Sequence, residues 1–272
     1  MMKSFDYKKS LGQNFLKDQN IINKISDSIN PSSDDLIIEI GPGAGALTKR
    51  LVNKGVDVIC FEIDTRLKDI LEGIKADNLK IIFNDFLKVN LSEYIDYSKY
   101  KNLYFVGNLP YYITTAIINK IIDESKPYEI TIMVQKEVAD RFMAAPGSRD
   151  YGSLSVFLQY NFDVSKVCNA PRGCFEPIPN VDSSVVKFIS NKKYNVNDEE
   201  LFYKLVKDSF KQKRKNLRNN LKSYDLDLIS SVLSKYNKDL TVRAENLSVQ
   251  EFVEISNVLF KWEYFYILFY LF

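Results

Sequence analysis

Short apolar runs alternate with amphipathic stretches over the first half of the chain. Five of these runs have the length and β-branched composition of buried strands, and Gly, Asn, Asp or Pro bounds each of them. They cover residues 36–40, 56–61, 79–83, 103–106 and 130–134. Apolar residues recur at helical spacing between them, over residues 47–53, 66–74 and 113–122. This alternation predicts an α/β fold with a doubly wound parallel sheet.

The flanking segments extend this prediction. Isoleucines at helical spacing within residues 14–30, followed by Pro31, predict an N-terminal helix that caps the sheet. Strand-like runs at 154–164 and 184–189 predict antiparallel additions to the sheet, and only helical patterns continue beyond the polar stretch 190–198. We therefore expect an α/β domain with its helical cap over residues 1–190, a small all-helical domain over 191–261, and an aromatic tail over 262–272.

No apolar stretch is long enough to cross a bilayer. The tail ends in the uncharged residues 264–272, which as a helix would span about 13.5 Å against roughly 30 Å of hydrocarbon core. Cys60, Cys168 and Cys174 show no CxxC spacing, and the chain has no signal-peptide pattern. We expect a monomer in a reducing cytoplasm with no membrane partner, and we assign the tail no role.

The amino-acid composition limits the reaction mechanisms and metal sites that are possible. The chain contains no histidine, which excludes every mechanism that needs an imidazole base and removes the commonest metal ligand. We expect no metal site. The formal net charge of +2 says little about a partner when taken over the whole chain.

Three strand ends carry candidate ligand-binding groups. Gly41, Gly43 and Gly45 follow the first strand and let a ligand approach backbone N–H groups, although such glycines also occur in plain tight turns. Glu62 ends the second strand, where it can accept hydrogen bonds from ribose hydroxyls, and Asp85 follows the third, where it can hold an adenine amino group. Because neither the dinucleotide fingerprint nor a P-loop is present, NAD and ATP are disfavoured and S-adenosylmethionine is the candidate cofactor.

An Asn-Leu-Pro-Tyr segment follows the fourth strand. The side-chain oxygen of Asn108, together with the carbonyl of Pro110 or a neighbour, can accept the two hydrogens of an adenine amine and turn its lone pair toward a methyl donor. Tyr111 can stack on the extruded base. The same residues would also suit an Asn turn before a helix that begins with proline.

These motifs resemble those of the ribosomal RNA adenine N6-dimethyltransferases, most closely the bacterial small-subunit (16S) type linked to kasugamycin sensitivity. The resemblance covers roughly residues 8–260 and rests on Leu11-Gly12-Gln13-Asn14-Phe15-Leu16, residues 38–43, 107–111, 135–141, 151–156 and 175–183. It implies a class I methyltransferase domain with a helical C-terminal domain.

The resemblance also implies roles for individual residues. Cofactor contacts would fall to Asn14, Leu16, Gly41, Glu62, Asp85 and Asn108, beside Gly43 of the glycine loop. Phe175 would be a second stacking surface for the target adenine, whereas its own sequence context favours a packed core position.

Residues 204–222 hold eight basic residues and only one acidic residue, Asp208. As one helix, most of the basic side chains would fall within an arc of about 100°. A merely solvated helix face would carry opposite charges as well, so we favour contact with RNA phosphates. The predicted RNA-binding residues are Lys207, Lys211, Lys213, Arg214, Lys215, Arg218 and Lys222.

The residues by themselves predict methylation of an adenine at N6. The resemblance further implies, as the leading hypothesis, dimethylation of two adjacent adenines near the 3′ end of 16S rRNA, within the small ribosomal subunit during its biogenesis. A 23S rRNA adenine N6-methylase of the macrolide-resistance type is the nearest alternative. A DNA adenine methylase would need the same residues, and a non-catalytic RNA-binding assembly factor could retain the same fold.

Overall fold

The computed structural model describes residues 13–110, 112–191 and 193–270, with the backbone alone for 261–270. Tyr111, one of the predicted catalytic residues, lies outside the described residues. The strands are β1 (Phe15–Leu16), β2 (Leu36–Ile40), β3 (Asp57–Glu62), β4 (Leu79–Phe83), β5 (Leu103–Asn108), β6 (Glu129–Gln135), β7 (Phe162–Ala170), β8 (Phe175–Glu176) and β9 (Ser183–Ser190). The helices are α1 (Gln19–Ser28), α2 (Thr48–Leu51), α3 (Lys68–Glu72), α4 (Thr114–Ser125), α5 (Lys136–Phe142), α6 (Ser153–Asn161), α7 (Glu199–Ser209), α8 (Leu217–Asn220), α9 (Leu226–Ser234) and α10 (Val249–Tyr270).

The main sheet has seven strands in the order β4-β3-β2-β5-β6-β9-β7. Adjacent strands from β4 to β6 pair in parallel, and β9 pairs antiparallel with β6. The predicted α/β fold is thereby confirmed, and the five apolar runs correspond to β2 through β6. The chain leaves β2 toward β3 and β4 and returns on its other side as β5, so a crevice is expected at the carboxyl ends of β2 and β5.

Strand register sets the level of the polar side chains at this edge. Ile40, the last residue of β2, pairs with Phe61 of β3 and with Gly107 of β5. The residues that follow these two partners are Glu62 and Asn108, and Gly41 follows Ile40 and donates its N–H to the Phe61 carbonyl at 2.9 Å. The glycine loop therefore begins between a carboxylate and an amide.

Helix α1 lies in the predicted N-terminal segment. Asp18 caps it, since one side-chain oxygen accepts hydrogen bonds from the N–H groups of Asn20 and Ile21. Its buried face consists of Ile21, Ile22 and Ile25, and the helix ends before Pro31, as its sequence predicts.

The prediction of a strand over residues 154–164 is wrong in its first part. Residues Ser153–Asn161 form α6, and β7 begins only at Phe162. The Ser155 hydroxyl accepts a hydrogen bond from the Gly152 N–H at 3.2 Å and donates to the Arg141 carbonyl at 2.7 Å, which fixes the first turn of this helix. A short apolar run fits a buried helix as well as a strand, and here local capping decides.

The chain divides into two compact units. One comprises Met1–Ala139 and Ser165–Ser190, and the other Asp140–Val164 and Asn191–Phe272. The sequence placed a single boundary near residue 190, whereas residues 140–164 group with the helical unit. Tyr151, Val156 and Tyr160 lie in the same buried cluster as the helical residues Phe202 and Phe252, which explains this grouping.

The basic residues do not lie on one helix, so that part of the prediction is wrong. Helix α7 ends at Ser209, and α8 begins at Leu217 after a turn. Lys211 and Lys215 would repel each other one helical turn apart, which disfavours a continuous helix. The Asn220 amide nitrogen instead donates to the carbonyls of Ser209 at 2.7 Å and Gln212 at 3.2 Å, and this closes the turn.

After β9, the described residues contain helices and no further strand, as predicted. The backbone of α10 stays helical as far as Tyr270. None of the helices in the described part of the chain has the length and apolar character needed to span a bilayer.

Candidate active site

A cavity in the α/β unit collects most of the predicted site residues at the carboxyl edge of the sheet. Its walls come from the segment before α1, the glycine loop, and the ends of β3, β5 and β6. The predicted residues among its lining are Asn14, Leu16, Gly41, Gly43, Glu62, Asn108 and Pro110. Residues nearly 100 positions apart in the chain thus share one small site.

The glycine loop and Glu62 hold each other in place. Gly43 has a φ of +57°, and a Cβ at this position would lie 2.7 Å from two ring carbons of Phe15. Its N–H donates to Oε2 of Glu62 at 3.0 Å, while Oε1 of Glu62 accepts the N–H of Asp64 at 2.8 Å. Burial raises the pKa of Glu62. The carboxylate still has capacity for a further donor, such as a ribose hydroxyl.

Asn108 is fixed by the segment before α1. Its Nδ2 donates to the backbone carbonyl of Asn14 at 2.7 Å. A carbonyl oxygen can only accept, so this contact settles which end of the amide is nitrogen. The Oδ1 atom is thereby directed to the opposite side of the amide, where it can accept a hydrogen from a substrate amine.

The Pro110 carbonyl does not suit the role of second acceptor. It already accepts hydrogen bonds from the Ile113 N–H and the Thr114 hydroxyl, each at 3.2 Å. Because a carbonyl oxygen has two lone pairs, both are engaged within the chain. The structure therefore favours the other expectation, that a neighbouring carbonyl shares the task with Asn108.

Residues 13–16 form a strap across the cavity. Gln13 Nε2 donates to Asp64 Oδ2 at 2.7 Å, beyond the end of β3, and Asn14 holds Asn108 at the end of β5. The Arg66 guanidinium donates to both oxygens of Asp64, which lowers the pKa of Asp64 to about 2. At its far end, the strap pairs with β8 through β1. It therefore connects the loops after β3 and β5.

Among the predicted residues that the structure describes, Gly45, Asp85 and Phe175 do not line the cavity. Asp85 follows β4, where its Oδ1 accepts the N–H of Leu87 at 3.0 Å and its other oxygen lies 3.8 Å from Lys88 Nζ. Its contact with adenine stays a prediction. Phe175 is fully buried within the core of the α/β unit. This is the core position that its sequence context favours, and its stacking on the target adenine stays a prediction.

Glu39 lines the cavity, yet sequence reasoning gave it no role. It is only 2% exposed, and its Oε2 accepts hydrogen bonds from the Thr48 hydroxyl at 2.6 Å and the Cys60 thiol at 3.4 Å. Burial raises the pKa of Glu39 to about 7, although both hydrogen bonds act in the opposite direction. The available signal was a carboxylate inside an otherwise apolar strand, where an ionisable group is costly unless it has a task.

The helical unit contains a basic segment, residues 207–222, whose basic side chains are exposed. All seven predicted RNA-binding side chains are exposed, and none of them forms an ion pair with another described residue: Lys207, Lys211, Lys213, Arg214, Lys215, Arg218 and Lys222. Asp208 is occupied by Lys204 Nζ at 3.3 Å and by the Tyr224 hydroxyl at 2.7 Å. The positive charge of this segment is therefore available to an outside partner.

The asparagines of this segment stabilise the turn between α7 and α8. Asn216 Oδ1 accepts the N–H of Asn219 and thereby caps α8, and the Asn219 amide nitrogen donates to the same oxygen.

Among the described residues, no cluster of three or more Cys, Asp or Glu side chains could hold a metal ion.

Comparison of the sequence with known proteins identifies a family of enzymes. The family model for ribosomal RNA adenine dimethylase matches residues 4–261. A ribosomal RNA small subunit methyltransferase A from Bacillus cytotoxicus is 43% identical over 268 residues, which are 94% of this chain and 92% of that protein. The protein of the same name from Bacillus mycoides is 42% identical over the same shares.

Two solved structures share the architecture. A dimethyladenosine transferase from Plasmodium falciparum has a TM-score of 0.75 at 26% identity and covers 88% of this chain and 95% of its own. The 23S rRNA methyltransferase ErmE has a TM-score of 0.74 at 24% identity, with 90% and 99% covered. At that identity the second likeness shows the fold alone.

Gly43→Ala should weaken S-adenosylmethionine binding at least tenfold. The new methyl group strains the backbone and displaces the Phe15 ring, which loosens the strap over the cavity. Isothermal titration calorimetry measures the affinity. Gly55→Ala is the matched control, because Gly55 has a φ of +76° with no neighbouring atom within 4 Å and lies outside the cavity lining. Equal affinities in the two variants would contradict the assignment.

Proposed function

This chain belongs to the ribosomal RNA adenine dimethylase family, and we propose that it methylates N6 of two adjacent adenines near the 3′ end of 16S rRNA in the small ribosomal subunit. S-adenosylmethionine is the proposed methyl donor. The observation that carries the proposal is Asn108, held by the Asn14 carbonyl at the edge of a cavity that also contains the glycine loop and Glu62. An amide acceptor placed beside a nucleoside site suits transfer to an adenine amine.

The relatives favour the small subunit as the substrate. Proteins named for methylation of small-subunit rRNA are 42–43% identical to this chain over 94% of its length. The macrolide-resistance alternative has support only from a shared fold. A DNA substrate is disfavoured by membership of an rRNA-modifying family, and a non-catalytic role is disfavoured because Gly43, Glu62 and Asn108 all line the cavity.

The residues of the cavity fit the proposed cofactor. Glu62 can accept ribose hydroxyls while Gly43 and Asp64 hold its orientation, and Asn14 and Leu16 close the cavity from the strap. The exposed side chain of Ile63 offers an apolar surface to the adenine ring. When bound, S-adenosylmethionine supplies a methyl group on a positively charged sulfur, which makes the carbon electrophilic.

Catalysis would depend on position rather than on a strong base. Asn108 Oδ1 accepts one N6 hydrogen and a neighbouring carbonyl the other, so the nitrogen lone pair turns out of conjugation and toward the methyl group. With the cofactor held by Glu62 and the glycine loop, its methyl group would pass from sulfur to N6, and the methylated nitrogen would then lose a proton to water. A chain without histidine can perform this reaction, because the proton leaves after the barrier.

The basic segment is the proposed RNA contact. Its seven exposed cations suit the backbone phosphates of a structured RNA, which are recognised by charge and shape. We place the protein in the cytoplasm as a monomer, where small subunits are assembled. Its three cysteines are free thiols, which suits a reducing compartment.

Incubation with labelled S-adenosylmethionine should transfer four methyl groups per small subunit that lacks this modification. Mass spectrometry of digested 16S rRNA should locate them as two dimethyladenines in one fragment. Naked 23S rRNA and duplex DNA of matched adenine content serve as controls and should incorporate less than a tenth as much. Preferred labelling of either control would contradict the proposed function.

Asn108→Ala should reduce kcat on small subunits at least 100-fold while S-adenosylmethionine affinity changes less than tenfold. The variant removes the acceptor that orients N6 but leaves the glycine loop and Glu62 intact. Gln13→Ala is the control, because it loosens the strap at Asp64 and retains the Asn108 acceptor. It should lower cofactor affinity and keep kcat at saturating cofactor within threefold. Unchanged turnover in Asn108→Ala would refute its catalytic role.

Replacement of Lys211, Lys213, Arg214 and Lys215 by Ala should weaken small-subunit binding and flatten its salt dependence. A plot of log affinity against log salt should lose about two to four units of slope, since each phosphate contact contributes roughly 0.7 to 0.9. The control replaces the exposed residues Lys49, Arg50, Lys75 and Lys80 and changes the net charge equally. If both variants lose the same slope, the basic segment is not the RNA contact.

A further inference from the structure

A second, shallow pocket lies at the carboxyl edge of the sheet within the α/β unit. Three segments form it: the end of β6 with the residues that follow, the turn after β7, and the loop before β9. Its lining consists of Gln135, Lys136, Glu137, Arg172, Asn180, Val181 and Asp182. The methyl transfer described above uses none of these side chains.

Strand register places this pocket close to the Asn108 amide. Asn108 at the end of β5 pairs with Met133 of β6, and Met133 lines the cofactor cavity. Gln135 follows two residues later, so its side chain projects to the same face of the sheet, about 7 Å beyond Met133. That separation is comparable to the length of one nucleotide in an extended strand.

Asp182 connects two of the segments that form the pocket. Its backbone carbonyl accepts the N–H of Lys136 at 3.0 Å, and its Oδ1 accepts the N–H of Arg172 at 2.9 Å. Pro177 and Pro179 restrict the backbone of the loop that contributes the third segment. The chain itself therefore holds the pocket in shape.

The polar side chains of the lining are available to a ligand. The amides of Gln135 and Asn180 have no hydrogen-bond partner among the described residues. Lys136 and Arg172 are exposed and have no ion-pair partner in the same part of the chain. Val181, with 43% of its surface exposed, adds an apolar contact.

This mixture of groups suits a nucleotide better than an isolated phosphate. Glu137 and Asp182 balance the formal charges of Lys136 and Arg172, so the pocket has no net charge with which to attract an anion. Side-chain amides hydrogen-bond to the edges of unstacked RNA bases, and adenine in particular pairs with Asn and Gln. An apolar side chain can cover the face of such a base, and a cation can contact the adjoining phosphate.

We propose that this pocket binds the nucleotide next to the target adenine in the RNA strand. The proposal rests on the function proposed above. Gln135 and Asn180 hydrogen-bond to the edge of the neighbouring base, Val181 covers one face of it, and the two cations lie near its phosphate. Because the pocket lies on only one side of Asn108, toward β6, it receives the neighbour from one direction along the strand. The two adjacent adenines are therefore not equivalent, since only one of them has the other as its neighbour in the pocket.

Small subunits in which either adenine is replaced by uridine test this asymmetry with the full-length protein. In one replacement the remaining adenine loses its neighbour in the pocket, and kcat/KM for its methylation should fall at least tenfold. In the other, kcat/KM for the remaining adenine should stay within threefold of its value in unreplaced subunits. Mass spectrometry of the digested rRNA resolves the two sites. Equal effects of the two replacements would overturn the proposal.

A cycle of protein and RNA changes tests whether the amides recognise this base. Gln135→Ala combined with Asn180→Ala should lower kcat/KM on unreplaced subunits at least tenfold, and the sensitive uridine replacement should then cause no further loss. A purely structural role would leave the tenfold effect of the base replacement intact, which would refute the assignment. S-adenosylmethionine affinity should stay within threefold, because the variant retains Glu62 and the glycine loop.

Two further variants accompany this cycle. Asn180→Asp alone changes one exposed side chain without altering its size, removes the amide donor, and should also abolish most of the discrimination between adenine and uridine. Asn119→Ala is the matched control, since Asn119 is an exposed amide on α4 outside both pocket linings. This control should keep both the activity and the discrimination of the wild-type protein.

The outcomes separate this inference from the proposed function. If the wild-type protein does not methylate unreplaced small subunits, the proposed function itself fails. If it methylates them but the protein and RNA changes act additively, the pocket does not bind the neighbouring nucleotide and the methyltransferase assignment stands.

Discussion

The position of β2 between β3 and β5 determines where the glycine loop, Glu62 and Asn108 lie at the candidate active site. Parallel strands present their carboxyl ends at one edge, and the reversal of strand order at β2 separates the loops that follow. The chain uses this gap for a glycine loop flanked by Glu62 and Asn108. The proposed reaction then needs three further features at this edge: an acceptor for the ribose, an acceptor for the amine, and the strap that connects them.

Most of this arrangement could be predicted because its causes are local. Buried parallel strands are nearly continuous apolar runs, so β2 through β6 are visible in the sequence. Gly41, Glu62 and Asn108 each follow such a run directly, and their meeting at one edge requires only the handedness of parallel crossovers. Gly43 could be assigned to ligand approach, but its contact with Phe15 could not, because the strap comes from a distant part of the chain.

The errors arise where several packing solutions suit the same local pattern. Residues 153–161 could form either element, and the capping contacts of Ser155 decide for a helix. The basic residues fit one helical face, yet Asn216 and Asn220 fold them into a turn that keeps every cation exposed. The ring of Phe175 is enclosed by the core, so the stacking role that the resemblance implies for it stays a prediction. The net charge of the whole chain, +2, gives no indication of a strongly basic segment. The charge of residues 204–222 taken alone was therefore more informative about an RNA partner.

The strap also determines how the Asn108 amide is oriented. Asn108 presents its oxygen outward only because Asn14 occupies its nitrogen, and Asn14 belongs to the segment that covers the cavity. Displacement of this segment would also release the amide and permit it to rotate. A rotated amide offers donors instead of an acceptor and repels the hydrogens of adenine. If Asn108 orients the adenine amine as proposed, the base-binding side of the site is therefore correctly formed only while residues 13–16 are in place.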